Sequence, residues 1–152
     1  MKLLLDTHIF LGVIEEDTGR FGRAVGMMLE DPAVEFHLSV ASLWEIAIKF
    51  RLGKLPLRGD LNKLPQVAER FRVSILQIAV AHVIAELGHA PPTNDPFDRL
   101  LLAQCQVEGL RLVTVDRALI GHPLAALSRW ASRPASLSIT ASRSGSLIRA
   151  HC

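Results

Sequence analysis

The stretch NDPFDRLLLAQCQVEGLRLVTVD, residues 94–116, reads as a loop, a helix, a glycine stop, a buried strand and a closing carboxylate. Pro96 stands where the first helical residue would. Its missing N–H is one that a helix start leaves unpaired anyway, and its fixed φ already suits a helix. Asn94 or Asp95 can cap the open N–H groups before it. Leu100, Leu101, Ala103 and Val107 supply an apolar face, and Gly109 ends the helix. Leu110, Leu112, Val113 and Val115 then make a short apolar strand that delivers Asp116 at its carboxyl end. In open α/β sheets that edge is where ligands bind. Asp98, one turn into the helix, can therefore face the same crevice as Asp116.

The flanking chain repeats this alternation. Residues 2–5 are an apolar strand, continuous enough to be buried and parallel, and they end at Asp6. Residues 9–14 and 21–30 read as helices, the second with Val25, Met28 and Leu29 on one face and Asp31-Pro32 as its stop. Residues 34–40 alternate with the period of a strand. Ser42 opens a helix running through Trp44, Ile46, Ala47 and Phe50 to Gly53. A turn-rich connector (54–59), a helix over 60–71 interrupted by Pro65, a strand over 73–78 and a helix over 79–87 follow. Beyond Asp116, residues 117–120 suggest a short helix, and Pro123-Leu124 with 127–130 a last edge segment. Strands alternating with helices imply a three-layer α/β/α fold around a central, mostly parallel sheet with right-handed crossovers. Residues 131–152 are dominated by Ser, Ala and Arg without a period, so they read as a disordered tail on a domain of residues 1–130.

Composition narrows the function classes. A chain of 152 residues with 49% hydrophobic and 21% charged residues is long enough for one domain with a substantial core. No apolar run approaches the roughly 18 residues of a membrane helix, and Asp6 interrupts the first apolar run, unlike a signal peptide. Two cysteines, Cys105 and Cys152, give neither a disulfide framework nor zinc-knuckle spacing. A reducing, cytoplasmic setting is the expectation. The net charge of +2 is carried by the tail: Arg133, Arg143 and Arg149 are three of the 17 basic residues, leaving 14 against 15 acids in residues 1–130. Any affinity for a polyanion must therefore come from a local patch. No glycine-rich phosphate loop follows the first strand, and no serine–histidine–acid elbow is present.

Each acid of interest also has an ordinary use. Asp6 can cap a helix, and Glu45 completes a capping box with Ser42 or pairs with Lys49 one turn on. Asp98 suits the positive end of its helix, and Asp116 can cap residues 117–120. Convergence favours more. In a parallel sheet Asp6 and Asp116 leave strands at one edge, while Glu45 and Asp98 lie in first turns of helices starting from it. Four carboxylates in one crevice repel, which raises at least one pKa unless a cation is bound. An all-oxygen acidic cluster suits Mg²⁺ or Mn²⁺. Thr7 and Thr114 flank two of the acids and can orient them. His8 and Asp95 lie within reach, although a surface histidine and a helix cap are their plainer readings.

At this point the sequence resembles the PIN-domain family, specifically the VapC-type toxins of bacterial toxin–antitoxin pairs. The resemblance rests on LLLDTH (3–8), SLWEIAIK (42–49), LGKL (52–55), DPFDRLLLAQ (95–104) and LVTVDRAL (112–119), in the family's order and with similar spacing. It implies a PIN-like fold and an acidic site of Asp6, Glu45, Asp98 and Asp116. It further implies an endoribonuclease using Mg²⁺ or Mn²⁺, with one or two ions held by Asp6, Asp98 and Asp116. Glu45 would be a further ligand or the orienter of the attacking water. Products with a 5′-phosphate and a 3′-hydroxyl, a homodimer, and a separately encoded antitoxin lying near the acids belong to the same implication. Lys49, Arg51 and Lys54, with Arg58 and Lys63, form the densest basic run and could follow an RNA backbone. The last family strand is poorly matched by residues 122–130, and the tail has no counterpart. Two other readings compete. One is a non-catalytic PIN-like module that binds RNA or protein. The other is a haloacid-dehalogenase-like phosphatase, for which Asp6-Thr7-His8 lacks the second aspartate.

Overall fold

The computed structural model describes residues 1–130, so the tail read at 131–152 lies outside the described residues. In chain order the elements are β1 (Lys2–Leu5), α1 (Thr7–Ile14), α2 (Arg23–Glu30), β2 (Glu35–Ser39), α3 (Val40–Arg51), α4 (Leu64–Arg70), β3 (Val73–Leu76), α5 (Val80–Ile84), α6 (Pro96–Glu108), β4 (Arg111–Val113) and α7 (Ala126–Trp130). Single 3₁₀ turns at Gly19–Phe21 and Leu61–Lys63 precede α2 and α4.

Side-chain alternation in β1 sets the layers. Successive strand residues face opposite sides of a sheet, and Leu3, Leu4 and Leu5 are all fully buried. Leu3 and Leu5 pack with Ile9 and Phe10 of α1, Val25 and Met28 of α2, Ile46 of α3 and Leu64 and Ala68 of α4. Leu4 joins Leu101, Leu102 and Cys105 of α6, with Leu110, Leu112 and Leu119. Helices therefore cover both faces of the sheet, as strands this apolar require.

The sheet order is β3-β2-β1-β4, and every pairing is parallel. The chain builds outward from β1 through β2 to β3, then returns to lay β4 on the other side of β1. The direction of winding switches between β1 and β4, and the crevice beyond their carboxyl ends is the natural binding place. Leu5 is level with both Leu38 and Val113. No helix among the described residues is long and apolar enough to cross a membrane.

Several local readings are corrected. The cap of α3 is Ser39, whose hydroxyl accepts from the Ala41 N–H at 3.0 Å, and not Ser42. Strand β2 runs into α3 without a loop, so Ser42 is already inside the helix and buried. Glu45 thus lies in the second turn, and the Ser42–Glu45 capping box does not form. The helix at 21–30 starts only at Arg23, because Gly22 adopts φ +87° and ends the preceding 3₁₀ turn. Pro65 is accommodated in the first turn of α4. Helix α5 stops at Ile84 rather than Leu87. There the α6 side chains take over the backbone: Gln106 donates to the Glu86 carbonyl at 2.8 Å and accepts from the Gly88 N–H at 2.9 Å. Residues 117–120 form turns and no helix, with the Leu119 and Ile120 N–H groups both on the Asp116 carbonyl. The expected edge segment at 127–130 is helix α7. Only an isolated bridge from Leu112 to Ala125 extends the sheet, after which Ala126, Leu127 and Trp130 turn back onto the first apolar cluster.

Candidate active site

Asp6 is the first residue past β1 and the cap of α1. Its N–H donates to the Val113 carbonyl at 3.0 Å, which continues the β1–β4 ladder one step beyond the strands. Its Oδ1 accepts from the Thr7 N–H at 2.7 Å, and its Oδ2 accepts from the Thr114 hydroxyl at 2.7 Å. The side chain is buried, and that burial pushes its pKa up. Hydrogen bonds from Thr114 and Thr7 and the nearby His8 oppose the rise, while the charge of Glu45 adds to it.

Asp98 is the third residue of α6, a helix that starts at Pro96 behind its cap Asp95 and ends at Gly109 in the left-handed region. Asp95 spends one oxygen on the Phe97 N–H at 2.8 Å, so it is the cap that the sequence offered as one of two choices. Thr93 in the preceding loop donates its hydroxyl to Asp98 Oδ2 at 2.8 Å. Burial raises the Asp98 pKa, Thr93 opposes this, and the charges of Asp95, Asp6 and Asp116 raise it further.

Asp116 lies three residues past β4. Its N–H donates to the Thr114 hydroxyl oxygen at 3.1 Å, and its Oδ1 accepts from the Ala118 N–H at 2.8 Å. Glu45 comes from the second turn of α3 and is held by the Lys49 ammonium at 2.9 Å. The four acids thus come from four separate elements, all at the carboxyl edge of the sheet. Asp6 senses Glu45, and Asp98 senses both Asp6 and Asp116. Mutual repulsion between carboxylates is the signature of negative charge left uncompensated by the protein.

The two flanking threonines differ. Thr114 ties Asp6 to Asp116 through its hydroxyl, whereas Thr7 uses its backbone N–H, and its buried hydroxyl has no hydrogen-bond partner among the described residues. Ser42 Oγ, one turn before Glu45, is buried and unpartnered in the same way. Lys49 is engaged with Glu45, while Arg51, Lys54, Arg58 and Lys63 are exposed. Sequence reasoning missed Thr93. It stands five residues before Asp98 in a loop without periodicity, and only its threonine hydroxyl near an acid could have flagged it.

The donor set is all oxygen, which suits a hard divalent cation and excludes a soft one. In their present positions both oxygens of Asp6, one of Asp98, one of Asp116 and one of Glu45 are engaged by protein donors. Among the described residues no three His, Cys, Asp or Glu side chains stand close enough together to hold an ion as they are. The chemistry of the donors fits Mg²⁺ or Mn²⁺, while threonine and lysine partners occupy several of the carboxylate oxygens.

The PIN domain family pattern matches residues 3–121, which include all four acids, β2 to β4 and all of β1 but Lys2. The chain belongs to the PIN-domain family. Over 121 residues it is also 32% identical to Ribonuclease VapC22 of Mycobacterium tuberculosis (strain ATCC 25618 / H37Rv), an alignment covering 79% of this chain and 91% of that protein. The PIN domain match ends just after the turn at 117–120, so α7 lies beyond it.

Proposed function

We propose that this protein is a Mg²⁺- or Mn²⁺-dependent endoribonuclease that serves as the toxin of a toxin–antitoxin pair. The observation that carries the reading is the placement of Asp6, Glu45, Asp98 and Asp116, from separate segments, at the carboxyl edge of the parallel sheet. In keeping with it, burial raises the Asp98 pKa, and the charges of Asp95, Asp6 and Asp116 raise it further. The likeness to a protein named Ribonuclease VapC22 supplies the substrate class.

Asp6, Asp98 and Asp116 would hold the cation, with Glu45 as a further ligand or as the group that orients the attacking water. When bound, such an ion makes water a better nucleophile and neutralises charge gathering on the phosphorus. Thr114 fixes the Asp6 carboxylate and favours its ionised form by donating to Oδ2, against the rise that burial causes, and Thr93 does the same for Asp98. Lys49 balances Glu45 in the free protein and offers a cation to the phosphodiester once Glu45 is engaged elsewhere. Arg51 and Lys54 continue that basic face along the RNA backbone. Cleavage leaving a 5′-phosphate and a 3′-hydroxyl is the expected outcome.

The protein would act in the cytoplasm as a homodimer restrained by a separately encoded antitoxin that covers the acids. Helix α5 supports a protein interface, since Val80, Val83 and Ile84 lie at helical spacing and are all more than 60% exposed. The early helices offer less, because Phe21 is packed against the core and Met27 alone is an exposed large apolar residue of α2.

The test is cleavage of mixed-sequence RNA by purified, antitoxin-free protein in Mg²⁺, in Mn²⁺ and in EDTA, with Asp98→Asn alongside. Cleavage that needs the metal and disappears in the variant supports the reading. Metal-independent cleavage that persists in the variant sinks it. Binding of RNA without cleavage under any condition would favour a non-catalytic module.

A further inference from the structure

Trp44 is 60% exposed, an unusual state for the largest apolar side chain. It precedes Glu45 on α3, and Phe97 precedes Asp98 on α6. The two rings meet edge to face, with centroids 5.5 Å apart and planes at 63°. An aromatic pair therefore bridges the two helices that carry two of the four acids, at the rim of the same crevice. In an edge-to-face pair one ring spends its edge and the other a single face, so the pair keeps an aromatic face free.

We propose that Trp44, positioned by Phe97, is the stacking platform for an unpaired nucleobase next to the scissile phosphodiester. The inference rests on the ribonuclease reading and names the kind of RNA it would take. The argument starts from charge. Asp6, Glu45, Asp95, Asp98 and Asp116 crowd this rim, and Lys49 is already paired with Glu45. These acids repel phosphates until cations arrive, so an uncharged contact adds affinity close to the cut that the basic face beyond Lys49 does not supply. Base–aromatic stacking provides one and tolerates any sequence, because every base has a π-face. A base inside an A-form helix has both faces covered by its neighbours, whereas a loop or single strand can splay one out. The platform thus selects single-stranded RNA at the cut.

The experiment compares cleavage of one mixed-sequence RNA as a single strand and as a blunt duplex by the wild-type chain, Trp44→Ala and Trp44→Phe. In parallel, Trp130→Phe leaves Trp44 as the sole tryptophan, and its fluorescence is followed with each RNA in EDTA. The wild type should prefer the single strand. Trp44→Ala should lose about tenfold or more in kcat/KM on it, chiefly through KM, and Trp44→Phe should recover most of that loss. Single-stranded RNA should quench Trp44, and duplex should not. Equal cleavage by wild type and Trp44→Ala overturns the platform. So does an equal loss on both substrates accompanied by a shift from dimer to monomer on gel filtration, which would make Trp44 an interface residue. If the wild type cleaves nothing but single-stranded RNA still quenches Trp44, the platform stands and the nuclease reading falls. Neither cleavage nor quenching overturns both.

Discussion

The Thr114 hydroxyl donates to Asp6 Oδ2 at 2.7 Å across 108 positions of sequence, and the Thr114 Oγ1 itself accepts from the Asp116 N–H at 3.1 Å. One side chain thereby holds two acids of the site in register, and it can do so only because β1 and β4 are parallel neighbours. Thr114→Val keeps the shape and removes the donor, leaving a buried carboxylate short of a partner. Such a loss costs about 1–3 kcal/mol, more where the group is charged. Urea unfolding should register that loss, RNA cleavage should fall, and Thr114→Ser should restore both. A Thr114→Val protein as stable and active as the wild type would remove this hydroxyl from the site.

Asp98 makes a second prediction, about pH. Burial and the charges of Asp95, Asp6 and Asp116 raise its folded pKa above the ordinary 3.8. The folded state then binds this proton more tightly than the unfolded chain does. Its contribution to stability is fully present below the unfolded pKa and is lost as pH rises through the folded one. Asp98→Asn cannot ionise and escapes that loss. In EDTA the variant should melt above the wild type at neutral pH, and the gap should close as pH falls toward 3.8. A gap constant across the range would mean the charge of Asp98 is not what matters.

Much of the candidate site was legible because its carriers are local. Pro96, Asp98, Gly109 and the apolar run from Leu110 to Val115 specify a cap, a helix, a stop and a strand within one short stretch, and the structure follows them except that β4 stops at Val113. Asp6 and Asp116 follow from strand ends in the same way. What could not be read depends on contacts between distant segments. The cap of α3 moved from Ser42 to Ser39 because β2 enters the helix without a loop. Helix α5 lost its last residues to Gln106 of α6, and α7 replaced an edge strand because Trp130 found the first apolar cluster. Thr93 and the Trp44–Phe97 pair were hidden for the same reason, since neither their loop nor their exposure leaves a periodic mark.

Cation linkage gives a third prediction. A ligand held only by the folded state stabilises it, by about 2.7 kcal/mol at a hundredfold excess over Kd. Millimolar Mg²⁺ or Mn²⁺ should raise the melting temperature of the wild type, and Asp98→Asn should shrink the rise. Because protons compete for the same raised carboxyls, the shift should also weaken on acidification. A shift of equal size in the variant would place the cation elsewhere.

Gly12 carries the last prediction, which sets two effects against each other. It lies within α1, where replacing glycine by alanine ordinarily gains roughly 0.5–1 kcal/mol. A Cβ at this position would fall 2.2 Å and 2.5 Å from Cε2 and Cζ of Phe21, inside any tolerable contact. The Phe21 ring packs against the apolar core and lies under the Arg20 guanidinium, 4.9 Å from its centroid. Moving the ring aside gives up both contacts, and overpacking of this kind costs about 1–3 kcal/mol. The steric term should win, so Gly12→Ala is expected to lower stability by about 1 kcal/mol. Trimming the obstruction with Phe21→Ala should reverse the sign, making Gly12→Ala neutral or mildly stabilising in that background, a coupling that a double-mutant cycle reads directly. If Gly12→Ala alone raises the urea midpoint, the ring swings out freely and Phe21 contributes less to the core than its position implies.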